Sequence, residues 1–184
     1  MKNLKKLTIL HSNDMHGDFL AEQIDQRLVG SGAIRSYSLG PVVHYADLVE
    51  CLPYDDAVYM LKVTGAQLER MLRHVLRDEA FQGEHTEFYQ FSHGMRIVWS
   101  RSAQTFRTLT LDGEALYADR LYTVAMQKYH YNNLKAFLNI TLEEAEENGR
   151  TRVLSTSARD VVEEYLTVNQ HLSREVEGRL VVED

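Results

Sequence analysis

Residues 58–77, Val58-Tyr-Met-Leu-Lys-Val-Thr-Gly-Ala-Gln-Leu-Glu-Arg-Met-Leu-Arg-His-Val-Leu-Arg77, read as a strand that runs into a helix. Val58 to Val63 alternate as a half-buried strand does. Thr64 has the side chain of a helix N-cap. Leu68, Met71, Leu72, Val75 and Leu76 then recur at i, i+3, i+4, i+7 and i+8, which makes one apolar stripe on a helix over 64–77. Glu69, Arg70, Arg73 and Arg77 fall off that stripe and face solvent.

Downstream, residues 78–93 are polar and read as a loop. Residues 94–101 and 105–111 read as strands, followed by the turn signal Asp112-Gly113. Leu121 to Met126 reads as another strand, residues 141–147 as a short acidic helix, and 157–168 as a second amphipathic helix. That second helix has Ser157 as its cap and Val161, Val162, Tyr165 and Leu166 on one face. Arg179 to Val182 reads as a closing strand. Upstream, 45–51 reads as a short helix closed by Pro53. Gly30, Gly32 and Gly40 with Pro41 mark irregular backbone around Ile34-Arg35. Residues 18–29 are polar and read as a loop or a short helix. Helices and strands mix without a strict βαβ rhythm, so the expected class is α+β, a mixed sheet with packed helices.

The chain has 184 residues, with 44% apolar and 26% charged side chains, an ordinary globular composition. That length holds one well-packed domain, or one domain plus a remnant. A net charge of −7 argues against a nucleic-acid partner, which a basic face would serve. The single cysteine, Cys51, excludes a disulfide framework and reads as a small buried hydrophobe on a helix. No stretch approaches the roughly 20 apolar residues of a membrane span, so no membrane partner is expected. The apolar run behind Met-Lys-Asn-Leu-Lys-Lys is only about four residues, too short for a signal peptide, and the expected location is the cytoplasm.

Residues 7–19, Leu7-Thr-Ile-Leu-His-Ser-Asn-Asp-Met-His-Gly-Asp-Phe19, bring a short apolar strand to a cluster of His11, Asn13, Asp14, His16 and Asp18. Asp14 and His16 are hard and borderline metal ligands two residues apart, and Gly17 permits the sharp turn that would aim both at one ion. By themselves they describe a solvated turn, because a dinuclear phosphoesterase centre takes about six or more protein ligands. The other histidines are scattered. Arg35 follows a glycine-rich segment and offers a planar fork for phosphate or carboxylate; taken alone it reads as a surface or salt-bridge residue. Tyr54 and Tyr129 stand at loop tips, where rings can clamp a planar base. The other reading makes them half-buried core tyrosines with wet hydroxyls.

Taken in order, these segments resemble the 5′-nucleotidase family, which pairs an N-terminal metallophosphatase domain with a C-terminal substrate-specificity domain. Leu7 to Gly17 resembles the first metal motif of the catalytic domain. Gly30-Ser-Gly-Ala-Ile-Arg35 resembles the family's Asn-x-Gly-Gly-Ile-Arg element. Asp47 to Tyr54, Val63-Thr-Gly-Ala-Gln-Leu68, Phe88 to Gly94 and Leu121 to Phe137 resemble four further elements.

The resemblance implies a remnant of the catalytic domain over 1–22, with one orphan strand, and a substrate-binding domain over 23–184. It implies metal ligation (Mn, Zn or Mg) by Asp14 and His16 and substrate contact by Arg35. It also implies a nucleobase held between Tyr54 and Tyr129, with Asn132 following the second ring. Both stacking positions hold Tyr where Phe is usual. The family's Gly-Gly-Asp-Gly is replaced by Asn133-Leu134-Lys135-Ala136, so Lys135 stands where an aspartate contacts the sugar. Seven residues separate Phe19 from Arg27, where the family carries its remaining metal ligands and catalytic residues. The expectation is therefore a nucleotide-catabolism protein in truncated form that binds a nucleotide and hydrolyses little or none. The alternatives are a non-catalytic nucleotide-binding module using Arg35, Tyr54 and Tyr129, and a structural fragment that dimerises by pairing of residues 7–13 with another chain's edge.

Overall fold

The computed structural model describes residues 26–36, 39–82, 89–172 and 176–184. The apolar run and ligand cluster of residues 7–18 lie outside them. Among the described residues the class is α+β, with two mixed sheets and six α-helices.

The first sheet has the order β3-β1-β7-β2-β8, with strands β1 Gln26–Gly30, β2 Val58–Thr64, β3 Tyr89–Phe91, β7 Leu121–Gln127 and β8 Arg152–Ser155. Strand β1 runs parallel to β7, with Leu28 opposite Met126, and antiparallel to β3, with Leu28 opposite Phe91. Strand β2 runs antiparallel to β7 along its whole length, from Val58 opposite Gln127 to Thr64 opposite Leu121. The second sheet has the order β6-β5-β4-β9, with β4 Met95–Ser100, β5 Thr105–Leu111, β6 Glu114–Ala115 and β9 Leu180–Glu183. Asp112 and Gly113 both take positive φ, 51° and 82°, the backbone that a two-residue hairpin between β5 and β6 requires.

Helix α2 spans Gly65–Val75 and starts as its sequence predicts. The Thr64 hydroxyl accepts from the Gln67 N–H at 3.2 Å, and the Gln67 side chain accepts from the Thr64 N–H at 2.8 Å. This reciprocal pair satisfies two otherwise unmet donors of the first turn. The stripe Leu68, Met71, Leu72 and Val75 is buried, and Leu76 continues it. It packs into one core shared by both sheets: Leu28, Leu61, Val63, Val124 and Met126 from the first, Met95, Ile97, Trp99 and Leu111 from the second. Gly65 is needed for close approach, since a Cβ there would stand 2.2 Å from the Tyr117 carbonyl oxygen.

A smaller cluster holds α1 (Tyr45–Cys51) against α6 (Ala158–Val168). It is built from Leu48, Cys51, Leu52 and Val162, with Ile34, Leu39 and Leu166 against it. Cys51 is buried as expected, and that burial pushes its thiol pKa up, which keeps it a neutral hydrophobe.

Two segments depart from the sequence reading, and two more form elements that it leaves unassigned. Residues 26–30 are a strand and not a loop or helix, because two neighbours, β7 and β3, supply pairings that so short a segment does not signal by itself. The polar stretch 78–93 contains a 3-10 turn, Asp78–Phe81, and strand β3. Among the described residues strand β8 pairs with β2 alone, and its pattern carries no alternation of buried residues. Residues 128–138 form two short helices, α3 Lys128–Asn132 and α4 Leu134–Leu138, beyond the end of β7. Among the described residues no helix is long and apolar enough to cross a membrane.

Candidate functional site

The parallel strands β1 and β7 end at the same edge of the first sheet, where β2 begins. Arg35 lies five residues past β1, Tyr54 four before β2, and Tyr129 two past β7. The topology thus gathers at one sheet end three residues that the sequence scatters over nearly a hundred positions.

Local bonds fix each one. The Arg35 N–H donates to the Cys51 carbonyl at 2.8 Å, which places Arg35 beside the segment leading to Tyr54. Its guanidinium carbon lies 5.3 Å from the centre of the Tyr54 ring. The Lys128 N–H donates to the Ala57 carbonyl at 2.8 Å, and the Tyr129 N–H donates to the Asp56 carboxylate at 3.3 Å. The loop that carries Tyr54 is therefore tied to the turn that carries Tyr129. Tyr54 is 55% exposed and Tyr129 52%, so neither is a buried core tyrosine. Asn132, one helical turn beyond Tyr129 in α3, is also exposed.

A second set of bonds holds the same loop from behind. Arg159 donates through Nε and Nη2 to the Leu52 carbonyl, at 3.2 and 3.0 Å, and through Nη2 to that of Pro53, at 3.2 Å. The Asp55 carboxylate accepts from the Ser157 hydroxyl at 2.8 Å and from the Arg159 N–H at 3.1 Å. The Asp56 carbonyl accepts from the Ala158 N–H at 2.9 Å. Sequence reasoning missed Asp55, Asp56 and Arg159 in this role. The one available signal was the pair of carboxylates just after Leu-Pro-Tyr.

Tyr129 leans on further rings: Phe137 at 5.6 Å between centroids and 43°, and His130 at 5.4 Å and 81°. The buried His130 is held through Nδ1 at 2.9 Å from the Tyr89 hydroxyl. The arrangement sets two half-exposed rings and the Arg35 guanidinium at one sheet end.

The model for the 5′-nucleotidase C-terminal domain matches residues 22–140, more than half of the chain. The chain belongs to this family. No curated protein matches it. Among solved structures, a 5′-nucleotidase precursor from Thermus thermophilus aligns at TM-score 0.67 and 17% identity, over 86% of this chain and 31% of that one. The Haemophilus influenzae NAD nucleotidase aligns at 0.64 and 12%, over 80% and 27%. A putative 5′-nucleotidase from Staphylococcus aureus, in complex with alpha-ketoglutarate, aligns at 0.63 and 13%, over 90% and 35%. At these identities the likeness is one of fold. This chain spans roughly a third of the length of each.

The 5′-nucleotidase C-terminal domain match ends at residue 140, so the bonds from Ser157 to Arg159 come from beyond the matched residues. Where the resemblance has a glycine-rich element, Asn133 is the turn between α3 and α4, and residues 134–136 lie in α4. Leu134 and Leu138, four apart, are buried in the main core and hold α4 in place. The Lys135 ammonium donates to the Asn139 side chain at 2.9 Å, and its charge helps to keep the Glu144 carboxyl acidic. Asp14 and His16 lie outside the described residues. Among the described residues, no three His, Cys, Asp or Glu side chains form a group that could hold a metal ion.

Proposed function

We propose that this chain is a nucleotide-binding module, the substrate-binding domain of a 5′-nucleotidase-type protein. A nucleobase stacks between Tyr54 and Tyr129, with Arg35 and Asn132 beside it. One observation carries this reading: two half-exposed rings are held at one sheet end by bonds from Lys128 and Tyr129 to the Tyr54 loop. Rings that served only the core would be covered. Rings left open by accident would not share a strap.

The module binds without turnover. In the longer relatives' line of chemistry, two metal ions would activate a water and stabilise an in-line displacement at phosphorus. Asp14 and His16 supply two donors, and the described residues add no further cluster. Two donors do not fit such a centre, so any divalent cation there is held weakly.

Titration calorimetry with AMP, with and without Mn²⁺, tests the reading. AMP should bind equally in both, and no phosphate should be released. Because stacking contributes about 1–3 kcal/mol per base, Tyr129→Ala should weaken binding by about five- to a hundred-fold. NAD belongs in the same titration, since one structural neighbour is named an NAD nucleotidase. Absence of binding to any of these, or Mn²⁺-dependent phosphate release, would overturn the proposal.

A further inference from the structure

We infer that the buried hydrogen bond between Tyr89 and His130 positions the Tyr129 ring, so that a residue of strand β3 tunes the affinity for the base. This rests on the base-binding reading above. Tyr89 and His130 are positioning residues in this arrangement: they act through Tyr129.

Helix α3 has five residues, too few to hold its own shape in water. Its placement comes from what its side chains touch. Tyr131 stacks on Tyr59 of β2. His130 is the fully buried residue of the helix, 2% exposed. A polar ring in a core costs free energy unless it is hydrogen-bonded. His130 meets that condition through Nδ1, 2.9 Å from the hydroxyl of Tyr89, which is itself buried. Tyr89 is fixed in turn by the sheet, where it lies opposite Gly30 in the pairing of β3 with β1. The bond thus ties the helix that follows β7 to a strand two places across the sheet. An apolar anchor fills space and can slide; a hydrogen bond also fixes direction.

Tyr129 takes its bearing from the same imidazole. Its ring stands edge-on to His130, 5.4 Å and 81°, and tilted to Phe137, 5.6 Å and 43°. His130 and Phe137 also meet each other edge-on, 5.8 Å and 71°. The three rings close a triangle, and His130 is the corner bonded to the sheet. A displacement of His130 moves the ring that the ligand meets.

The test is Tyr89→Phe, which keeps the ring and removes the hydroxyl. AMP affinity should fall about two- to ten-fold, the net range of one hydrogen bond. In a Tyr129→Ala background the same change should cost nothing, because the ring through which it acts is gone. An equal loss in both backgrounds would assign Tyr89 to the fold alone and overturn the inference. So would unchanged affinity in the single variant. A second readout needs no nucleotide. In free Tyr89→Phe protein the Tyr129 ring protons should move toward the shifts of a solvated tyrosine. Those of Tyr117, exposed beside the start of α2, should stay in place. Unmoved Tyr129 shifts overturn the positioning role. If Tyr89→Phe does not fold, His130→Phe breaks the same bond from the other side and must give the same results. Failure of the unaltered chain to bind AMP overturns the base-binding reading, and this inference with it, whatever the shifts show.

Discussion

Tyr59 and Tyr131 lie ring on ring, 4.3 Å between centroids and 13° between planes. Tyr54 and Tyr129, a few residues away along the same two segments, make no ring contact with each other and are each about half exposed. The first pair is complete. Tyr59 on β2 covers Tyr131 on α3, and the Tyr131 hydroxyl lies 3.2 Å from that of Thr151. The second pair is fastened through its backbone and open at its rings. The difference shows how one sheet end spends similar side chains in two ways. A ring stacked face to face on another stabilises the fold; Tyr129, which meets Phe137 and His130 only at a tilt or edge, and Tyr54 each keep about half of their surface available to something from outside.

Four substitutions probe that contrast. Tyr59→Ala should have the largest effect, a loss of about 2–3 kcal/mol of stability. This is below the cost for a fully buried aromatic and includes the ring-pair contribution. Denaturant unfolding measures it, and AMP affinity of the folded protein should barely move. Tyr129→Ala should do the reverse, costing about 1–3 kcal/mol of binding with little change in the unfolding midpoint. If either variant behaved like the other, the division between structural and displayed rings would collapse.

Arg159→Ala sharpens the comparison, because it leaves both rings intact and removes only the bonds to the Leu52 and Pro53 carbonyls. Charge-assisted bonds of this kind contribute about 1–2 kcal/mol when partly exposed. AMP binding should weaken several-fold while the circular dichroism spectrum is retained. Unchanged affinity would mean that the Tyr54 loop keeps its place without the strap.

The smallest effect is expected far from the rings, at Glu144. Its carboxyl is held below its ordinary pKa, first by the Thr141 N–H and then by Arg70 at 2.6 Å. A carboxyl whose pKa folding lowers stabilises the protein above its ordinary value and loses that contribution as pH falls. Stability should therefore drop below about pH 4.3, and Glu144→Gln should flatten part of that drop. Urea midpoints at neutral and acid pH measure the difference. An equally steep fall in the variant would place the acid sensitivity elsewhere.

Local signals made much of this legible. The Thr64 cap, the Leu68-to-Leu76 stripe and the Asp112-Gly113 turn each carry their structure within a few residues, and each was read correctly. Strand β1 is read instead as a loop or helix and β8 is left unassigned, because their conformation is imposed by partners distant in sequence. Gln26 to Gly30 contains only Leu28 and Val29 as strand-like residues, and its identity as a strand comes from β7 and β3. The same asymmetry holds at the candidate site. Arg35, Tyr54 and Tyr129 were nameable through family resemblance. Their fastening by Asp55, Asp56 and Arg159 joins segments about a hundred residues apart and leaves no periodic trace.

Asp56 is bonded to two helix starts at once. Its carbonyl holds Ala158 and its carboxylate holds Tyr129, so one residue is a junction for the start of α6 and the start of α3. Local opening at either helix start must release a bond to the same loop. The amide hydrogens of Tyr129 and Ala158 should therefore exchange with solvent as one cooperative unit. A ligand seated on the rings would then slow exchange at α6, a helix that need not touch it.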